Sequence, residues 1–277
     1  MNIQAKKYVT LGAVLVAVAL SGWFGIGYLQ DVQKDVLYAS QITTIKKASG
    51  IEEVPSFHAK ADRLREFIHN NSQHKEDAEF FSLWRDRTKM AAAFIDYLEG
   101  RRKELPHMEC STRADLMAAI LRSEGYRTRA VDAYRVDDPD KLEGHALLDV
   151  MNPDTNRWET QDPEYDAYWK HRKTGERASM IEASGNADII PCNGSRCGWG
   201  IKTREGSPAE RLRKHLAYTV SIDRAADERI AYHSPDIAPD ATLVYNDKTG
   251  TFCNVVSKNC RDGFFVATAD NLKKIAD

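Results

Sequence analysis

The chain has 277 residues, 42% of them hydrophobic, and its 39 Lys and Arg nearly cancel its 41 Asp and Glu to leave a formal net charge of -2. That length allows one substantial core with appended regions rather than several independent domains. Balanced charge without a basic stripe supplies neither the long-range field nor the phosphate contacts of a nucleic-acid binder, which argues against such a partner.

The first element in chain order runs from Tyr8 to Leu29, carries no charged residue and follows Lys6 and Lys7. Its length is near the ~20 helical residues that cross a bilayer core. Lysines before it, against the mixed Asp31, Lys34 and Asp35 after it, predict residues 1–7 in the cytoplasm and a transmembrane signal anchor over 8–29. Ala19-Leu20-Ser21 offers the small residues of a signal-peptidase site, so secretion after cleavage is the alternative. The apolar run continues past it through Trp23, Phe24, Ile26 and Tyr28. Both readings put the folded part in one extracytoplasmic compartment, periplasmic or extracellular.

Residues 30–56 are polar with scattered apolar positions and read as a stalk. Residues 57–170 read as the folded core. There, Leu64, Phe67 and Ile68 predict a short amphipathic helix over Asp62 to His69, and Met90, Ala91, Phe94, Ile95 and Leu98 predict a core helix over Trp84 to Leu98 stopped by Gly100. Cys110 opens a third helix, whose Ala114, Leu116, Met117, Ala118, Ile120 and Leu121 form a broad apolar face ending at Gly125. Thr128 to Val136, Gly144 to Met151 and Arg157 to Gln161 are rich in strand formers and separated by Asp-Pro and Asn-Pro turns. The fold class expected is α+β, a cysteine-bearing helix packed on an antiparallel sheet. Residues 171–277 read as a C-terminal extension, with a helix over Ala209 to Leu216 and a hairpin over Thr242 to Phe252.

Five cysteines carry the next inference. Cys192 and Cys197 lie close together, as do Cys253 and Cys260, and an oxidising compartment favours pairing these four, with three connectivities open. A zinc site from the same four is the competing reading, although neither spacing is the C-x2-C of zinc knuckles. The cysteine left over is Cys110.

A thiol nucleophile needs a thiolate, a base to hold its proton and a group that orients the base. Cys110 sits where a loop becomes a helix, so the helix N-terminus is expected to lower its pKa. His145 follows on a strand as general base, and Asp162 ends the next strand, where antiparallel pairing can bring it beside the imidazole. Singly, such a cysteine or histidine is usually a core or surface residue. Three in order, with the unpaired cysteine among them, point to a catalytic triad. His107 stands close to Cys110 in sequence but in a loop that rarely faces the same sulfur, and His69 and His74 flank a polar segment and read as solvated. Asn70-Asn71-Ser72 and Asn193-Gly194-Ser195 match the glycosylation sequon.

The run Cys110-Ser111-Thr112-Arg113-Ala114-Asp115-Leu116 through Gly125-Tyr126-Arg127-Thr128-Arg129-Ala130-Val131, then Gly144-His145-Ala146 with Asp149-Val150, then Trp158 with Asp162-Pro163, resembles the transglutaminase-like superfamily of papain-like Cys-His-Asp cysteine enzymes. The resemblance covers roughly Trp84 to Trp169. It departs at Met108-Glu109 before the cysteine, where many members carry Gly-x, and at Leu147, where Trp is usual. It implies a transglutaminase-like core with Cys110, His145 and Asp162 catalytic, no metal site and no cofactor. It also implies a hydrolase or acyltransferase that acts on amide bonds of a peptide or protein substrate through a thioester, peptidase-like by preference. The alternative is a non-catalytic binding or scaffold module of the cell envelope that keeps the same fold. Oligomeric state is not readable from the sequence.

Overall fold

The computed structural model describes residues 31–134, 144–184, 188–210, 218–223, 228–233, 243–246 and 251–254. The apolar run 8–29 lies outside them, as does Cys260. Among the described residues no helix is long and apolar enough to cross a membrane.

The expected stalk is corrected. Residues 31–49 form a helix, α1, and a short 3-10 turn follows at Ile51–Glu53. Ile42 and Ile45, one turn apart on α1, and Ile51 in the turn that follows are buried in the same core as the later helices, where their apolar side chains escape water. Gln41 Nε2 donates to the Thr88 carbonyl, and Lys46 pairs with Glu124, so polar groups also tie this helix down.

Helix α2 spans Phe57–Asn70, capped by Ser56, whose hydroxyl accepts from the Ala59 N–H. The core helix expected over Trp84 to Leu98 is α4, Arg87–Leu98, which starts three residues later than expected because Trp84 closes a separate short helix, α3, Ala78–Trp84. Each begins at an aspartate, Asp77 and Asp86, whose carboxylate accepts the orphan N–H groups of the first turn and so starts a helix of its own. Helix α5, Cys110–Ser123, ends just before Gly125, whose φ of 87° suits a residue without Cβ.

The sheet contains β1, Thr128–Tyr134; β2, Gly144–Asn152; β3, Arg157–Asp162; β4, Ala167–His171; β5, Ile189–Asn193; β6, Arg196–Cys197; β7, Tyr218–Asp223; and β8, Glu228–His233. A short helix α6, Met180–Ser184, precedes β5. Strand order is β6-β5-β4-β3-β2-β1-β7-β8, with every neighbour antiparallel. The α+β architecture expected from the sequence is therefore present, and part of the supposed extension supplies strands to its sheet. The expected hairpin is the separate pair β9, Leu243–Asn246, and β10, Thr251–Asn254; its turn is outside the described residues. Residues 208–210 are helical, and the rest of the helix expected to Leu216 is likewise outside them.

Strand β2 is buried on both faces. Leu148 and Val150 join α1, α2, α4 and α5 in one core, while Leu147 joins Val131, Ala133, Trp169, Met180 and Ile189 in a second. Side chains alternate across a strand, so a strand between two apolar layers carries apolar residues on both faces, and its polar members His145 and Asp149 are buried with the partners Asp162 and Arg129. That burial fixes the register and with it the height at which His145 enters the interior. Cys192 and Cys197 form a disulfide across β5 and β6; the pairing of Cys253 and Cys260 falls outside what is described.

Candidate active site

Cys110 is the first residue of α5. Glu109 before it is extended, and its carbonyl accepts from the Arg113 N–H, but its side chain makes no cap. The positive end of the helix dipole thus faces the sulfur without a capping carboxylate across it. The loop ahead is held in place because the Met108 N–H donates to the Gln73 carbonyl and the Gln73 N–H to the Pro106 carbonyl. Cys110 is 7% exposed and is a free thiol.

His145 lies near the start of β2 and is 1% exposed. Asp162 ends β3 and is fully buried. The β2–β3 hairpin turns at Asn156, which adopts φ 54°, and Asn152 Oδ1 accepts from the Asp154 N–H inside the turn. This turn sets Leu148 opposite Gln161 and leaves Asp162 beyond it, so that His145 Nε2 meets Asp162 Oδ2 at 2.9 Å. The other oxygen, Oδ1, accepts from the N–H groups of Glu164 and Tyr165, each at 3.1 Å. Asp162 is therefore fixed by its own following turn, and the Tyr165 ring stands edge-on to the imidazole.

With Nε2–H donating to Asp162, Nδ1 is the nitrogen left for the thiol. Cys110, His145 and Glu164 each place a side-chain donor atom within 4.8 Å of the others. The Ala146 N–H, next along β2, donates to Cys110 Sγ at 3.4 Å. The structure thus brings together all three residues predicted from sequence and adds Glu164, which sequence reasoning missed.

Glu164 sits in the β3–β4 turn, yet its residue is only 5% exposed. Its Oε1 lies 3.4 Å from His74 Nδ1 and its Oε2 lies 3.8 Å from His145 Nδ1. Arg113, completely buried on α5, donates to the Glu164 carbonyl and to Glu205, and His69 Nδ1 also meets that carbonyl at 2.7 Å. His69 and His74 are consequently not the solvated groups expected: one is buried and the other pairs with a buried carboxylate. His107 Nδ1 approaches Asp77 at 2.7 Å and Glu79 at 3.4 Å, and it takes no part in the site.

These contacts set the charge balance. Burial pulls the His145 pKa down, but the Asp162 charge and hydrogen bond, helped by Cys110 and Glu164, hold it well above the ordinary histidine value. Burial pushes the Cys110 thiol up, and Glu164 and Glu109 add to this, while His145 works against it. The lowered thiol expected from the helix terminus is therefore not what the folded site gives, because desolvation of a buried sulfur outweighs it. For Glu164, burial raises the pKa, but His74, His145 and Arg113 bring it down to about 2.

No protein-family model matches the chain, and no curated protein matches it in sequence. Among solved structures it is similar to a candidate cysteine protease from Cytophaga hutchinsonii, with 15% identity and a TM-score of 0.32 over 44% of this chain and 37% of that one. It is also similar to a TGase, with 16% identity and a TM-score of 0.31 over 46% of this chain and 31% of that one. The match spans about a third of either neighbour's own length, and scores of this size do not establish a shared fold.

Proposed function

We propose that this chain is a cysteine hydrolase or acyltransferase of the transglutaminase-like type, tethered through residues 8–29 with its folded part outside the cytoplasm, acting on amide bonds of peptides or proteins. The observation that carries the reading is the continuous line from the Cys110 thiol at a helix start, through the His145 ring, to an Asp162 carboxylate held by two backbone N–H groups.

In this reading Cys110 is the nucleophile, His145 the proton shuttle and Asp162 the residue that fixes the imidazole tautomer. His145 Nδ1 takes the thiol proton, and Sγ bonds to the amide carbonyl carbon. The C–N bond breaks as His145 returns the proton to the leaving amine, which leaves a thioester. Water then attacks the thioester with His145 as base, releasing a carboxylic acid and the thiol. Attack by an amine forms a new amide instead. Hydrolysis, a peptidase-like outcome, is the one we favour. The Ala146 N–H stabilises the thiolate, and the Cys110 backbone N–H is the first candidate donor to the tetrahedral oxyanion.

The test is the alkylation rate of Cys110 against pH, read by peptide mapping in the wild type, His145→Ala and Asp162→Ala. Because the imidazolium lowers the thiol pKa, its loss should move the titration of Cys110 to higher pH and slow alkylation near pH 8. Asp162→Ala should do the same to a smaller degree, since it removes the charge that keeps the imidazolium. A titration that neither substitution moves would refute the nucleophile assignment.

A further inference from the structure

Three buried donors of different chemistry converge at one point: the thiol of Cys110, an imidazole nitrogen of His145 and a carboxylate oxygen of Glu164 lie within 4.8 Å of one another. A zinc-class cation takes thiolate, imidazole and carboxylate at about 2.0–2.3 Å, which in a tetrahedron separates neighbouring ligand atoms by about 3.3–3.8 Å. His145 Nδ1 and Glu164 Oε2, at 3.8 Å, stand a few tenths of an ångström wider than the ~3.3–3.5 Å of a nitrogen–oxygen pair in such a tetrahedron, a gap that small side-chain rotations close. Both atoms are buried and make no hydrogen bond of ordinary length; they face each other as a loose ion pair with the Cys110 thiol beside the imidazole, so a cation between them would replace a weak contact by direct ligation.

The surroundings match those of a metal ligand set. A histidine that binds metal through one nitrogen typically donates its other N–H to a carboxylate, which fixes the ring and raises its basicity. His145 has this arrangement through Asp162 at 2.9 Å. Glu164 is anchored through its backbone carbonyl by Arg113 and His69, so its carboxylate does not need to be recruited from solvent.

We propose that Cys110 Sγ, His145 Nδ1 and Glu164 Oε2 form a binding site for a zinc-class divalent cation, with a fourth position left to water, and that occupancy silences the nucleophile. Binding displaces the thiol proton and the proton of the imidazolium Nδ1 to solvent, and the sulfur and the nitrogen lone pair that would serve catalysis become ligands. The inhibitory consequence rests on the catalytic reading above, whereas binding itself does not. The site would make activity depend on free zinc in the compartment, with release by a chelator restoring the thiol.

Cobalt(II) is the probe, because its bond to a thiolate gives a near-ultraviolet charge-transfer band and its tetrahedral complexes absorb strongly in the visible. The whole chain titrated with Co2+ should show both, and added Zn2+ should remove them by displacement. Glu164→Gln should weaken Co2+ binding at least roughly tenfold, and Asp162→Asn roughly ten- to hundredfold, as loss of an outer carboxylate does. In the wild type, which needs no variant to fold, Zn2+ should protect Cys110 from alkylation and a chelator should restore its rate. Absence of the thiolate band, a band that survives in Cys110→Ser, or undiminished affinity in Glu164→Gln would each overturn the site. Failure of the catalytic reading shows separately, as a Cys110 titration indifferent to His145→Ala while Co2+ still binds.

Discussion

Cys110 and His145 both have pKa values above their ordinary ones, for different reasons: burial holds the proton on the thiol, and two carboxylates hold it on the imidazole. At neutral pH the pair therefore carries one proton more than the thiolate–imidazolium form that attacks a carbonyl, and reactivity should climb as pH rises. Glu164 raises both groups. Replacing it by Gln removes that charge at nearly constant shape, so the alkylation profile of Cys110 should shift to lower pH and the rate at pH 7 should increase. An unchanged or upward-shifted profile would show that Glu164 does not act on the pair. The presence of this residue was not legible beforehand. An acid in Asp162-Pro163-Glu164-Tyr165 looks like an ordinary solvated turn residue, and only the packing of Arg113, His69 and His74 around the turn makes it part of the site.

Helix α1 tests how much of the chain belongs to the core. Ile45 is completely buried among the side chains of the later helices, so Ile45→Ala should lower unfolding stability by about 2–5 kcal/mol, measured by urea denaturation at constant m-value. A free stalk would lose nothing. The helix was misread because Ile42, Ile45 and Ile51 are sparse among Thr, Lys and Ser, and the periodic signal is too thin to separate a docked helix from a tether. By contrast, β1, β2 and β3 were legible to within a residue or so over their described lengths, because Pro, Asn and Asp punctuate runs of strand formers there. The same punctuation placed Cys110, His145 and Asp162 on one helix and two paired strands, which is why the candidate site could be read from sequence. Strands β5 to β8 carry no comparable pattern. Their place in the sheet depends on neighbours far away in the chain, such as Ala130 opposite Ile222, which no local signal encodes.

Across the whole molecule, Glu164 and its partners join segments that are remote in sequence. The β3–β4 turn meets α2 through His69, α5 through Arg113 and the segment between α2 and α3 through His74, while Glu205 accepts from Arg113 and from the His74 N–H. Arg204 closes the set by donating to the carbonyls of His69 and Ser72. Such a junction makes global stability depend on pH. Glu164 titrates at about 2 when folded against an ordinary value of 4.5, so its contribution is present above about 4.5 and is lost as pH falls toward 2, on the order of 3 kcal/mol in all. His74 has the opposite sign: its pKa is raised, chiefly by Glu164, so its contribution is complete below the ordinary histidine value and fades as pH rises through the folded one. The junction is therefore strongest between these limits, in mildly acidic solution. Unfolding free energy measured from pH 2 to 9 should fall on both sides of that window. Glu164→Gln should flatten both limbs, and His74→Ala should flatten the alkaline limb most. An acid limb that survives Glu164→Gln unchanged would assign the loss to other carboxylates and remove Glu164 from the centre of the junction.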